Sequence, residues 1–140
     1  MSALVDEDMG TFFGCRTPTV SAGGGFAGAE ISAAPAAGAN NNFDPGGGWP
    51  GTATAPNGVL VLTDGGTPGA CNLTGLKAGQ ARQLVTIVNN RTNDAVLNDA
   101  NGGSLAANRF STGGIDITLP PGGSVDGVYS STLSRWVLQL

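Results

Sequence analysis

Residues 40–62 read NNNFDPGGGWPGTATAPNGVLVL, and the stretch changes character halfway along. Up to Pro56 it is Asn, Gly, Pro and Ala around two isolated aromatics, Phe43 and Trp49. From Gly58 it becomes Val59-Leu60-Val61-Leu62, a core-forming run. How the residues before Asn57 are read decides the fold. Residues 21–56 hold nine Gly, ten Ala and four Pro in 36 positions. Gly and Pro break helix and sheet, and Ala has little surface to bury. Fixing a backbone costs roughly 1–2 kcal/mol per residue, whereas burying a Phe or Leu side chain returns about 1.5–3 kcal/mol. With Phe26, Ile31, Phe43 and Trp49 as its only large apolar residues, the segment cannot order itself. Residues 1–56 are therefore expected to form an extended Gly/Ala-rich N-terminal arm that orders on other chains.

From Asn57 onward strand signals follow one another at short spacing. Val59–Thr63, Cys71–Leu76, Gln83–Asn89 and Ala95–Leu97 are β-prone, with QLVTIVN the strongest and expected to be central. Ile115, Ile117 and Leu119 alternate with Asp116 and Thr118, as in a half-buried strand. Val125–Ser130 and Arg135–Leu140 complete the series, with Trp136, Leu138 and Leu140 on one face. Asn101-Gly102-Gly103 and Pro120-Pro121-Gly122-Gly123 mark turns. Seven or eight strands with polar turns predict an all-β fold, an antiparallel, jelly-roll-like β-sandwich over residues 57–140 that folds without the arm.

Length suits one domain, and 11% charged residues with 24 Gly favour an extended or β design over a helical one. Asp6, Glu7, Asp8, Glu30 and Asp44 against Arg16 give residues 1–56 all of the net −4; residues 57–140 balance five acids with five bases. No basic patch exists to attract nucleic acid, and no apolar run reaches the length of a membrane span. The start MSALVDEDMG lacks a signal peptide's basic and apolar regions, so synthesis in a cytoplasm is expected. There Cys15 and Cys71 are more often free than paired.

The chain contains no His, which removes the commonest general base and most zinc sites. Asp94 and Asp99 flank turns and read as turn formers. Asn40-Asn41-Asn42-Phe43-Asp44 lacks the acid density of a calcium loop, and Gly23–Gly25 and Gly46–Gly48 fail the strand–loop–helix context of a phosphate loop. No catalytic, metal or cofactor residue is expected. Asp6-Glu7-Asp8 reads as a solvated acidic patch. The expected functional residues are apolar anchors on the arm: Leu4, Val5, Met9, Phe12, Phe13, Phe26, Ile31, Phe43 and Trp49. Trp49 has two equal readings, a hot-spot anchor on another chain or a side chain folded onto its own domain. Trp136, in phase with Leu138 and Leu140, reads as core.

The elements GQARQLVTIVNN, ANRF, DITLPPGGSVDGVY and SRWVLQL, covering about the last 60 residues, together resemble small β-sandwich domains of tailed-bacteriophage structural proteins, found in capsid decoration proteins, head fibres and tail-fibre heads. The resemblance implies a virion protein, often a homotrimer, and brings no catalytic or metal residue with it. The expected function is a capsid decoration (cement) protein whose arm straps it to the major capsid protein and to copies of itself. The alternative is a fibre or receptor-binding head, with glycans as a candidate ligand; against it, no heptad or repeat offers a shaft.

Overall fold

The computed structural model describes residues 28–66 and 68–139. Ten strands follow in order: β1 (Ala29–Ala33), β2 (Gly38–Asn40), β3 (Asn57–Leu62), β4 (Cys71–Leu73), β5 (Leu84–Asn89), β6 (Ala95–Leu97), β7 (Phe110–Ser111), β8 (Ile117–Leu119), β9 (Ser124–Ser130) and β10 (Arg135–Gln139). A 3₁₀ turn spans Ala106–Asn108. After Asn57 most strands lie close to where the sequence predicts them, but β1 and β2 fall in the expected arm, β7 is not among the predicted strands, and one residue is misplaced. Ile115 does not join Ile117 and Leu119 on a buried face; it sits ahead of β8 and is 69% exposed.

Their assembly differs from the expected sandwich. Consecutive strands alternate between two sheets, ordered β1-β3-β5-β9-β10-β7 and β2-β4-β6-β8. The first three strands of each sheet run parallel in register, Ile31↔Leu60↔Ile87 in one and Asn40↔Leu73↔Leu97 in the other. The chain therefore winds through three stacked coils, a β-solenoid, and the antiparallel sandwich or jelly roll is incorrect. Only after the third coil does pairing turn antiparallel. β9 and β8 then fold back on β5 and β6, and β9–β10 forms a hairpin. These strands cap one end of the solenoid.

The second correction follows from the first. Residues 28–56 are the first coil, not an arm: β1 pairs with β3 and β2 with β4. The chain enters the coil through a close approach. A Cβ on Gly28 would lie 2.0 Å from the Pro56 carbonyl oxygen, so only glycine fits. The energetic estimate for an isolated arm fails because the segment never stands alone. Each coil's backbone groups are paired by the next coil, and its small residues let the coils stack. Residues 1–27 of the expected arm lie outside the described residues.

The core is one cluster between the two sheets and a third wall, where Phe43 bridges Leu76. Leu60, Leu62, Leu73, Leu76, Ile87, Leu97, Phe110 and Trp136 are fully buried in it. Trp49 is 3% exposed and packs 5.8 Å from Trp136, whose ring meets Tyr129 edge-on at 5.1 Å. Both indole N–H groups donate to the Lys77 carbonyl, at 3.0 and 3.3 Å. The buried Gln83 amide donates to the Pro50 and Asn57 carbonyls, tying the end of the first coil to the start of the third.

Candidate interaction surface

Of the anchors expected to reach other chains, the structure brings Ile31, Phe43 and Trp49 into the protein's own core. Trp49 is buried outright, while Ile31 and Phe43 are half-buried against the same cluster. A buried indole with its N–H satisfied has nothing left to offer a partner, so the folded-back reading of Trp49 is the correct one. Leu4, Val5, Met9, Phe12, Phe13 and Phe26 lie outside the described residues, as do Cys15 and the acidic run Asp6-Glu7-Asp8. Cys71 is buried, and burial pushes its thiol pKa up against the opposing pull of the Arg91 guanidinium.

The polar residues of 40–44 are spent internally. Asn40 closes a turn on Ala36, Asn41 accepts the Thr74 hydroxyl, and Asn42 accepts from the Leu105 backbone and Asn108. Among the described residues no group of three or more His, Cys, Asp or Glu could hold a metal ion, and no helix is long and apolar enough to cross a membrane.

One residue that sequence reasoning passed over organises the corner between the sheets. The Arg91 side chain is fully buried, and its guanidinium donates to the carbonyls of Pro35 (2.9 Å), Thr63 (2.8 Å) and Gly69 (2.5 Å), with Asp64 at 3.9 Å. Pro35 belongs to the first coil, Thr63 and Gly69 to the second, and Arg91 to the third, so one side chain staples three coils. Beside it, Asn89 is buried where the ladder would otherwise place an aliphatic. Its amide donates to the Leu119 and Asn93 carbonyls, and its oxygen accepts from the Arg91 backbone N–H. A base directly after the strongest strand, in a chain so poor in charge, was the available signal.

The two ends of the solenoid are unlike. At the first coil, β1 and β2 are edge strands, and no described residue pairs their outer sides. An open edge of this kind is a template for another strand. At the opposite, capped end the edge strands are β7, only two residues long, and β8, three residues long.

The sides differ as well. The four-stranded sheet turns outward one row of Ala39, Asn72, Val96 and Thr118. The six-stranded sheet turns outward Val59, Val61, Leu84, Val88, Val128 and Val137, with Leu84 67% exposed. On this face Thr86 donates its hydroxyl to Asp126 at 2.7 Å.

At the capped end a cleft of about 670 Å³ lies between β8 and β10, lined by 111–113, 115–118 and 137–139. Asp116 lines it, and Asp99 behind it ties down Thr112. Asp99 accepts the Thr112 backbone N–H (2.8 Å) and hydroxyl (3.0 Å), and Asp116 accepts the Asn98 amide and the Asp99 backbone N–H. The Thr112 N–H, above all, holds the Asp99 pKa below the usual carboxylate value, as the Gly46 N–H does for Asp44. Both folded-state values are depressed, so their stabilisation is complete above the ordinary Asp pKa of about 3.9 and is lost as pH falls through the folded values. Stability measured by urea unfolding should therefore decline below about pH 4, and Asp99→Asn should reduce that decline. A variant with wild-type acid sensitivity would remove Asp99 from the account.

No family model, curated protein or solved structure matches this chain.

Proposed function

We propose that this protein is a non-enzymatic structural protein of a tailed-bacteriophage particle, a decoration protein mounted on the head shell. The observation that carries the reading is the polarity of the solenoid. Among the described residues the first coil offers the longer edge, five residues of β1 against two of β7, which suits a module mounted by that end with the capped end projecting. The chain enters the open coil directly from residues 1–27, which hold the remaining apolar anchors Leu4, Val5, Met9, Phe12, Phe13 and Phe26. The strap to the major capsid protein is thereby confined to those residues and the β1/β2 edge. Several modest contacts made together provide the attachment. The strand and turn elements that resemble phage structural domains support the same class.

The fibre or receptor-binding head keeps a place because of two observations. A solenoid is a stiff body, which weakens the objection that no shaft is present, and the cleft lies at the projecting end. One binding experiment separates the readings. Full-length protein is added to expanded heads lacking it, and separately to host cells and glycans. Saturable binding to heads, lost on deleting residues 1–27, is the expected result. Binding to cells or glycans with none to heads would transfer the reading to the fibre head, and binding to neither would reject both.

A further inference from the structure

We infer that the outer face of the six-stranded sheet, centred on Leu84, is where copies of this chain meet, with their solenoid axes parallel. Its outward side chains fall into rows set by strand register. Leu84, Val128 and Val137 form one row; Val59, Thr86, Asp126 and Gln139 form the next; Val61, Val88 and Ser124 form a third. Six aliphatic side chains on one face, against Val96 between Asn72 and Thr118 on the other sheet, are a pattern that marks an association surface.

The identity of the occupant comes from charge. On the near side of the Leu84 row, Arg135 pairs with Ser130, and Arg82, just ahead of β5, donates its backbone N–H to the Tyr129 carbonyl. On the far side, Glu30 and Asp126 share the row of Val59. Bases and acids therefore flank the apolar row on opposite sides. A second copy laid against the face with its axis parallel, rotated about that axis, sets the arginine row of one copy on the acid row of the other. The face is modest in size. Its six strands hold 31 residues, which at about 3.4 Å rise and about 4.8 Å spacing give roughly 500 Å² in projection. That is below the roughly 800 Å² per partner of a standard interface and in the range of a weak one.

The inference deepens the decoration reading by naming the contact between copies. Its readout, the mass of the free protein, is separate from head binding. Sedimentation of the full chain at micromolar concentration should give an oligomer, above the 13.8 kDa monomer. Leu84→Asp puts a charge into the apolar row and should weaken association by about tenfold or more, with an unchanged circular dichroism spectrum because the side chain is exposed. Should that variant misfold, charge reversal decides. Arg82→Glu and Asp126→Arg should each weaken the oligomer, and the double variant should recover it. A monomeric wild-type chain overturns the proposal, residues 1–27 or solvent then covering the face. So does an oligomer indifferent to Leu84→Asp, or reversals that weaken it without mutual rescue.

Discussion

A chain that begins at Asn57 should fail to fold. Cutting there removes β1 from β3 and β2 from β4, and takes Trp49 away from Trp136. It exposes flanks of Leu60, Leu62 and Leu73, all fully buried in the intact protein. The Gln83 amide loses the Pro50 carbonyl as well. Truncating Trp49 alone to Ala should cost about 3–5 kcal/mol, and whole domains are stable by only about 5–15 kcal/mol. Losing the entire coil therefore exceeds what the remainder can bear. Urea unfolding followed by circular dichroism should show a cooperative transition for residues 28–140 and none for residues 57–140. A 57–140 chain melting like the full protein would restore the arm-plus-domain division.

Arg91→Ala should be the most damaging single substitution outside the aromatic cluster. It leaves the carbonyls of Pro35, Thr63 and Gly69 without their donor, and the Asp64 carboxylate without its cation, around a guanidinium that is itself fully buried. Removing one partner from a buried charged network costs about 3–5 kcal/mol, because the stranded groups stay desolvated. Arg91→Lys should recover only part of this, since one ammonium lacks the planar fork that reaches three carbonyls at once. Denaturant midpoints of the three proteins check the order wild type, Lys, Ala. An Ala variant within about 1 kcal/mol of wild type would show that the corner is held by the backbone ladder alone.

Strand positions were legible because β-branched and aliphatic alternation acts locally: Leu84–Asn89, Ala95–Leu97 and Arg135–Gln139 fall where the pattern puts them. The partners were not legible, because the same alternation serves parallel and antiparallel ladders. A solenoid announces itself by a repeat, and here the repeat is irregular. Equivalent inward positions lie 29 and then 27 residues apart on one sheet (31, 60, 87), and 33 and then 24 apart on the other (40, 73, 97). Loops of unequal length hide the period. The ladder is also chemically uneven, since Ala33, Leu62 and Asn89 occupy one stacked position.

The first coil was the hardest part to read. Its apolar residues are too few to fold alone, yet they suffice when coils two and three already present a wall. For the surface, β5 places Leu84, Thr86 and Val88 outward and Val85, Ile87 and Asn89 inward. Neither set is clearly polar, so the strand did not reveal which side is core, and the Leu84 face emerged only from the fold.

Limited proteolysis of the native protein, with the resistant fragment identified by mass, tests the solenoid most directly. If residues 28–56 are the first coil, the fragment begins at or before Gly28 and keeps Ile31, Phe43 and Trp49. Cleavage throughout 28–56 that leaves a stable fragment starting near Asn57 would contradict it.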